Sequence, residues 1–407
     1  MQRFLSRESA LRRVRTRERP WDMVIVGGGA TGVGVAVDAA SRRYDVLLLE
    51  QSDFGKGTSS RSTKLVHGGV RYLEQGDVPL VMEALRERGI MRQNAPHLVF
   101  DLGFVVPSYA WWEGPFYGMG LRIYNLLAGK YGFGKSRNLS KEKTLEHLPN
   151  IRTEGLRGGV VYYDGQFDDT RFLVNLAQTA VEQGATLLNH AAVTAVTRSE
   201  EGFVNGVVAR DAETGEELQV SAKVVINAAG PFVDSVRSLA EPTSKPLISP
   251  SQGVHLVFDG SFLPGPMAVM VPHTSDGRVM FAIPWHGHTL IGTTDTAIES
   301  ATLEPRPMEK EIDFILETAA LYLRKAPKRS DILSTFAGIR PLVRAGAAVR
   351  ALVFRHHCLR PLRRAGRSSR PRLLLSDLRE VGARTGRPRQ VAFGLGSTRG
   401  ASLVRTK

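Results

Sequence analysis

One stretch near the start, "MVIVGGGATGVGVAVDAASRRYDVLLLE" over residues 23–50, limits the possible folds more than any other. Met23–Val26 is an apolar run of strand length. Gly27, Gly29 and Gly32 follow as G-x-G-x-x-G, with Gly28 between the first two. An Ala/Val-rich helix then runs to about Arg42, and a second apolar run, Val46–Leu49, ends on Glu50. Each part has a physical task. Gly27 permits a tight turn, Gly29 lets backbone N–H groups approach a pyrophosphate, and Gly32 lets the helix pack closely with its positive end toward the anion. Glu50 can accept hydrogen bonds from both hydroxyls of a ribose. A glycine triplet alone is a weak sign. Set between strand and helix, with an acid closing the next strand, it predicts a Rossmann-like α/β fold that holds a dinucleotide.

The adjoining segment selects among dinucleotides. "TSSRSTKLVHGGVRYLEQGD", from Thr58 to Asp77, is dense in hydroxyls (Thr58, Ser59, Ser60, Ser62, Thr63) and contains Gly68-Gly69. Hydroxyls and bare backbone suit an extended loop lying along a long cofactor, from its pyrophosphate to an isoalloxazine ring. FAD is therefore expected rather than NAD; the plain alternative is a polar surface loop with capping residues.

Further along, an amphipathic helix is expected around Pro79–Asn94. The aromatic-rich "SYAWWEGPFYGMGLRIYNLLAG" follows, and its Trp111, Trp112, Phe116, Tyr117 and Tyr124 read as core or interdomain packing, with a membrane-contacting surface as the other reading. Asp168 or Asp169 can cap a helix carrying Phe172, Leu173, Leu176 and Ala180. "AKVVINAAGPFVDSV" is a buried strand whose small-residue turn would bring Gly230 against a flat cofactor. From about Leu247 to Thr296, short strands alternate with turns, as in the antiparallel sheet of a second, substrate-covering domain. "EKEIDFILETAALYLR" has the pattern of an amphipathic helix, and "ILSTFAGIRPLVR" leads back toward the cofactor. His255 begins a strand of the second domain; a neutral imidazole there could take a hydroxyl proton near pH 7, although a histidine on a strand is more often a satisfied core residue. Thr293, Thr294 and Asp295 either contact substrate or turn the strand.

In "VIVGGGATGVG", "TSSRSTKLVHGGVRYLE", "VINAAGPFVD", "IPWHGHTLIGTTD" and "FAGIRPLVR" the chain resembles the FAD-dependent, quinone-reducing glycerol-3-phosphate dehydrogenases. These belong to the D-amino-acid-oxidase-like (DAO) flavoproteins. The resemblance covers about residues 20–346, with the motifs in the same order. It implies oxidation of sn-glycerol 3-phosphate to dihydroxyacetone phosphate, with electrons passed to quinone, by a cytoplasmic enzyme peripheral on the inner face of the cell membrane. Such a reaction needs an Arg fork for a dianionic phosphate, an acceptor for the hydroxyl proton, and the carbon-bound hydrogen facing the flavin.

The resemblance implies that Arg71, Tyr72 and Arg340 line the substrate pocket, and that His255, Arg71 and Arg340 are the catalytic set. The cofactor residues expected are Gly27, Gly28, Gly29, Gly32 and Glu50; Thr58, Ser59, Ser60, Ser62, Lys64, Leu65, His67, Gly68 and Gly69 in the loop; then Gly230 and Gly338. The fold expected is α/β, a Rossmann-like FAD-binding domain (21–103, 155–246 and 330–346) interleaved with an antiparallel-sheet substrate domain (104–154 and 247–329). An amino-acid or 2-hydroxy-acid oxidase of the same fold is the rival enzyme.

Composition bears mainly on the two ends. The formal charge of +14 comes from residues 347–407, with 14 Arg and 1 Lys against Asp377 and Glu380, and from residues 1–20, with seven Arg against Glu8 and Glu18; the body between carries −4. Such terminal runs are expected to say little about the fold. The C-terminal run is poor in aromatics and has no nucleic-acid-binding motif, so no nucleic-acid partner is expected. Pro361, Pro371 and Pro388 break any amphipathic anchor helix. The family continues after "IRPLVRAG" with a Gly-Gly-Lys segment; here stands an Arg/Ala/Gly/Pro/Leu string of the kind GC-rich DNA yields when read out of frame. Codons for Ser376–Val381 read one base later can spell Leu-Thr-Ser-Gly-Lys-Trp. Residues 347–407 are therefore expected to be frameshift-derived and poorly ordered, and the chain to bind FAD weakly and turn over poorly. A non-catalytic binding protein with a basic tail is the rival from another class. The single cysteine, Cys358, excludes a disulfide framework and Cys-based metal sites, and no metal is expected. No apolar run of about 18 residues is present, nor an apolar region behind the first arginines, so neither a spanning helix nor a secretory signal is expected.

Overall fold

The computed structural model describes residues 6–344 and 360–361. The expectations attached to 347–407 fall outside the described residues, apart from Arg360–Pro361, which pair with Ile226 and Asn227. Two sheets organise the molecule. In the smaller, Thr186–Leu188, Val46–Leu49, Trp21–Val26 and Glu217–Asn227 run parallel in that order, and Val204–Asp211 and Ala191–Arg198 continue it antiparallel.

Alternation along the central strands explains the layering. Val24, Val26, Leu47 and Leu49 face one side and Met23, Ile25, Val46 and Leu48 the other, because successive side chains on a strand point to opposite faces. Both sides are covered, so these strands read as continuous apolar runs. The helices Ala30–Ser41 and Asp169–Glu182 pack on the second side through Val33, Ala36, Val37, Leu173 and Ala177.

The first side is closed by a helix that the charge pattern did not suggest. Arg7–Arg15 lies against it through Ala10, Leu11 and Val14, over Trp21, Val24 and Leu47. Its arginines meet the acidic body. Arg7 bonds the fully buried Asp211 at 2.7 Å, Arg13 and Arg17 share Asp45 at 3.1 and 2.6 Å, and Arg17 stacks 4.0 Å above the Trp21 ring. Residues 7–17 are thus part of the fold, their charge paired with acids beside the sheet face that the helix covers.

The larger sheet has the order Thr296–Ala297, Ile248–Asp259, His288–Gly292, Met280–Trp285, Ala268–Val271, Val99–Ser108, Gly158–Phe167, Leu65–Val66, with Ser334–Val343 also on Ile248–Asp259 and Arg137–Ser140 on Gly158–Phe167. It is antiparallel except where Ala268–Val271 meets Val99–Ser108. The antiparallel reading of 247–296 holds. The interleaving differs in detail, since Gly158–Phe167 and Ser334–Val343 pair within the larger sheet, whereas the sequence division grouped them with the nucleotide-binding portion. The helix Val78–Asn94 matches the expected span, and Asp168 rather than Asp169 caps Asp169–Glu182 by accepting from the Arg171 N–H.

The aromatic segment departs from expectation. Tyr124 is fully buried, but Trp111, Trp112 and Phe116 are exposed, and with Met119, Ile123 and Leu126 they line the outer face of the helix Glu113–Ala128. The repeat of 112, 116, 119, 123 and 126 is one side of a helix; its opposite side, with Gly118, Leu121 and Tyr124, took the core.

Candidate active site

The glycine turn has the geometry its spacing predicts. Gly27 sits at φ 114°, and a Cβ at Gly32 would run into the Gly27 carbonyl oxygen, so neither position admits a side chain. Gly29 starts the helix Ala30–Ser41 without a side chain of its own to cap it. The Ser59 hydroxyl does so from the hydroxyl strip, accepting from the Ala30 N–H at 2.9 Å. Glu50 accepts from the Gly28 N–H at 2.6 Å and the Ser52 N–H at 2.8 Å, one bond to each oxygen, and burial raises its pKa. Each carboxylate oxygen keeps a second lone pair for a ribose hydroxyl.

From Ser59 the strip crosses to the larger sheet. Most of its polar groups are engaged with the scaffold. The Thr58 hydroxyl donates to the Ile339 carbonyl. Ser60 offers its carbonyl to the Lys64 ammonium at 2.6 Å. Asp169, 3% exposed, accepts from the Ser62 N–H and hydroxyl and pairs with Lys64 at 2.7 Å. Leu65 is buried and pairs with Gln166. His67 Nδ1 accepts from the Gly69 N–H, and Gly68 donates to Asp164, itself held by the buried Arg88 and Tyr124.

Gly69, at φ 69°, opens the short helix Val70–Glu74 that carries Arg71 and Tyr72. Gly230, at φ 53°, has open space where a side chain would stand. Gly338 is different: a Cβ there would lie 2.8 Å from the Arg61 carbonyl oxygen, so its bareness makes room for the strip.

His255, read from the sequence as beginning a strand, lies well inside Ile248–Asp259 in the structure. It is 2% exposed, stacked on Phe336 at 4.8 Å, with Nε2 bonded to the Thr63 hydroxyl at 2.8 Å. Burial first, then the Arg340 and Lys64 charges, push its pKa down to about 3. It is therefore neutral but far less basic than a general base matched to pH 7. Its Nδ1 has no hydrogen-bond partner among the described residues.

The two expected guanidinium groups are linked through one turn and one carboxylate. Arg340 bonds Asp295 at 3.2 Å and the Thr293 hydroxyl at 3.0 Å, while Arg71 donates to the Gly277 carbonyl at 3.3 Å. Arg278, next in sequence to Gly277, pairs with Asp276 at 2.8 Å and with Asp295 at 3.5 Å. Sequence reasoning passed over Arg278, read Asp169 only as a possible helix cap, and left Asp295 between substrate contact and strand turn. One signal was legible. Gly253 lies in a strand just before His255, and bare positions in strands mark close approach; a Cβ there would strike the Arg340 guanidinium.

A turn that excludes side chains, a helix N-terminus facing it, an acid with spare lone pairs and an open Gly230 fit an elongated dinucleotide such as FAD. The family described as FAD dependent oxidoreductase (DAO) matches residues 22–362. A mitochondrial glycerol-3-phosphate dehydrogenase of Arabidopsis thaliana is 46% identical over 339 residues, which cover 80% of this chain and 54% of that protein. The corresponding Schizosaccharomyces pombe protein is 42% identical, covering 84% of this chain and 55% of its own. The crystal structure of a Bacillus halodurans glycerol-3-phosphate dehydrogenase complexed with FAD superposes with a TM-score of 0.68 at 35% identity, over 83% of this chain and 60% of that one. The chain thus spans about half the length of the two mitochondrial relatives. It belongs to the DAO family of FAD-dependent oxidoreductases, and its cofactor is FAD.

Proposed function

We propose that the chain oxidises sn-glycerol 3-phosphate to dihydroxyacetone phosphate. The carrying observation is that Arg71 bonds the turn at Gly277 while Arg340, whose charge acts on His255, is linked to the same turn through Asp295 and Arg278. Bound FAD supplies the acceptor for the hydride. Arg71 and Arg340 hold the phosphate, with Tyr72 beside them. The neutral His255 takes a hydrogen bond from the alcohol at Nδ1, orienting the hydroxyl and becoming protonated only as the hydride departs. His67 and Gly68-Gly69 hold the loop against the flavin. The relatives named above carry this activity in their names, and this chain matches 54% and 55% of their length.

Electrons pass to quinone at the inner face of the cell membrane, with the body on the cytoplasmic side. The apolar stripe Trp112, Phe116, Met119, Ile123 and Leu126, flanked by exposed Arg122 and Lys130, supports a peripheral contact with an anionic lipid surface. No helix among the described residues is long and apolar enough to cross a membrane. Turnover is low in this 407-residue form, because residues 347–407 offer no Gly-Gly-Lys segment to meet the phosphate. The test is anaerobic titration of the chain, in excess FAD, with sn-glycerol 3-phosphate. Bleaching of the flavin band is expected; bleaching by an amino acid or lactate and not by glycerol 3-phosphate would overturn the assignment in favour of a carboxylate oxidase.

A further inference from the structure

The turn Thr274–Arg278 lies where three arginines meet, and only two of them belong to the pocket described so far. It is a stiff element: the Thr274 N–H donates to the Arg278 carbonyl at 2.9 Å, the Arg278 N–H donates back to the Thr274 hydroxyl at 3.0 Å, and Gly277 takes φ 74°. Arg71 bonds the Gly277 carbonyl, next in sequence to Arg278. Asp295 then ties the turn to the strand Ser334–Val343. One of its oxygens meets Arg340 at 3.2 Å and the other meets Arg278 at 3.5 Å. A single carboxylate thus meets two guanidinium groups, one on the turn and one on the strand Ser334–Val343.

We propose that Arg278 is a substrate-binding residue that gives the site its preference for a phosphate monoester over a carboxylate, with Asp295 as the positioning residue that sets it beside Arg340. The inference rests on the substrate reading above. A planar carboxylate is satisfied by one arginine fork, which Arg340 alone can present. A phosphate dianion carries one more charge and a third oxygen pointing out of that plane, and needs a second cation beside the first. Arg71 is exposed on the short helix Val70–Glu74, whereas Arg278 on the turn and Arg340 within the strand Ser334–Val343 have side-chain exposures of 28% and 13%. The less exposed pair is better placed to desolvate and grip the anion.

Titration calorimetry of sn-glycerol 3-phosphate into the full chain in excess FAD tests this. Arg278→Gln should weaken binding on the order of tenfold or more, the loss of one charge-assisted contact. Arg278→Lys should recover part of the loss, and both variants should keep the parent's FAD affinity and melting temperature. Asp295→Asn, which keeps shape but releases the two arginines, should weaken binding in the same assay. Unchanged affinity in Arg278→Gln would overturn the proposal, as would a loss that tracks loss of FAD or of folding. Failure of the unsubstituted chain to bind glycerol 3-phosphate would instead overturn the substrate reading, and this inference with it.

Discussion

His255 carries the sharpest consequence for a single residue. Its folded pKa of about 3 lies below the ordinary 6.5 because burial penalises the imidazolium and Arg340 and Lys64 repel it. Between those values the unfolded chain binds a proton that the folded chain refuses. The stability due to the neutral histidine is complete above pH 6.5 and falls as pH drops toward 3, by up to about 1.4 kcal/mol per pH unit. Urea unfolding followed from pH 8 to pH 4 should show this slope, and His255→Gln should reduce it. An imidazole NMR signal for His255 titrating near 6.5 would refute the buried, neutral assignment. The residue's type and strand were legible beforehand. Its basicity was not, because that depends on Phe336, Thr63, Arg340 and Lys64, brought from far along the chain.

Helices show how one pattern can serve two environments. Arg7–Arg15 looked like a charged run, yet every third or fourth position (Arg7, Ala10, Leu11, Val14) faces the sheet, and its other arginines meet acids that only the folded sheet assembles. The aromatics at and within Glu113–Ala128 read as core or interdomain packing, or else as a membrane contact, and in the structure it is the face with Gly118, Leu121 and Tyr124 that is buried. Its outer stripe leaves Leu126 80% and Met119 67% exposed. Burying such side chains is worth about 1.5–3 kcal/mol each. The double variant Phe116→Ser/Ile123→Ser should therefore lose at least about tenfold in partition onto anionic phospholipid vesicles, with little change in melting temperature. Equal co-sedimentation of parent and variant would exclude this face as the lipid contact.

For the molecule as a whole, the hydroxyl strip is a strap between the two sheets. Ser59 holds the helix N-terminus on the smaller sheet, Thr58 reaches Ile339 on the larger, and Asp169 fastens Ser62 and Lys64 from behind. The Lys64 side chain is 11% exposed and that of Asp169 2%, so removing one charge strands the other. Asp169→Ala should cost about 3–5 kcal/mol of stability. It should also weaken FAD binding, although Asp169 lies outside the expected cofactor set, because the strap then loses its position relative to both sheets. Chemical denaturation and flavin fluorescence titration would read the two effects separately. Stability lost with FAD affinity unchanged would mean that the strap is structural only.

Local order was written in the chain. The glycine spacing, apolar runs and cap residues act over a few neighbouring positions, so the turn at Gly27, the strands around it, the helix Val78–Asn94 and the antiparallel hairpins of 247–296 follow from the residues themselves. Which sheet claimed Gly158–Phe167 and Ser334–Val343, which side of an apolar helix met solvent, and which arginine stood beside Arg340 were settled by contacts between segments distant in sequence. Hydrogen bonding in a sheet and desolvation of a charge both depend on what arrives from elsewhere, and no local spacing encodes that arrival.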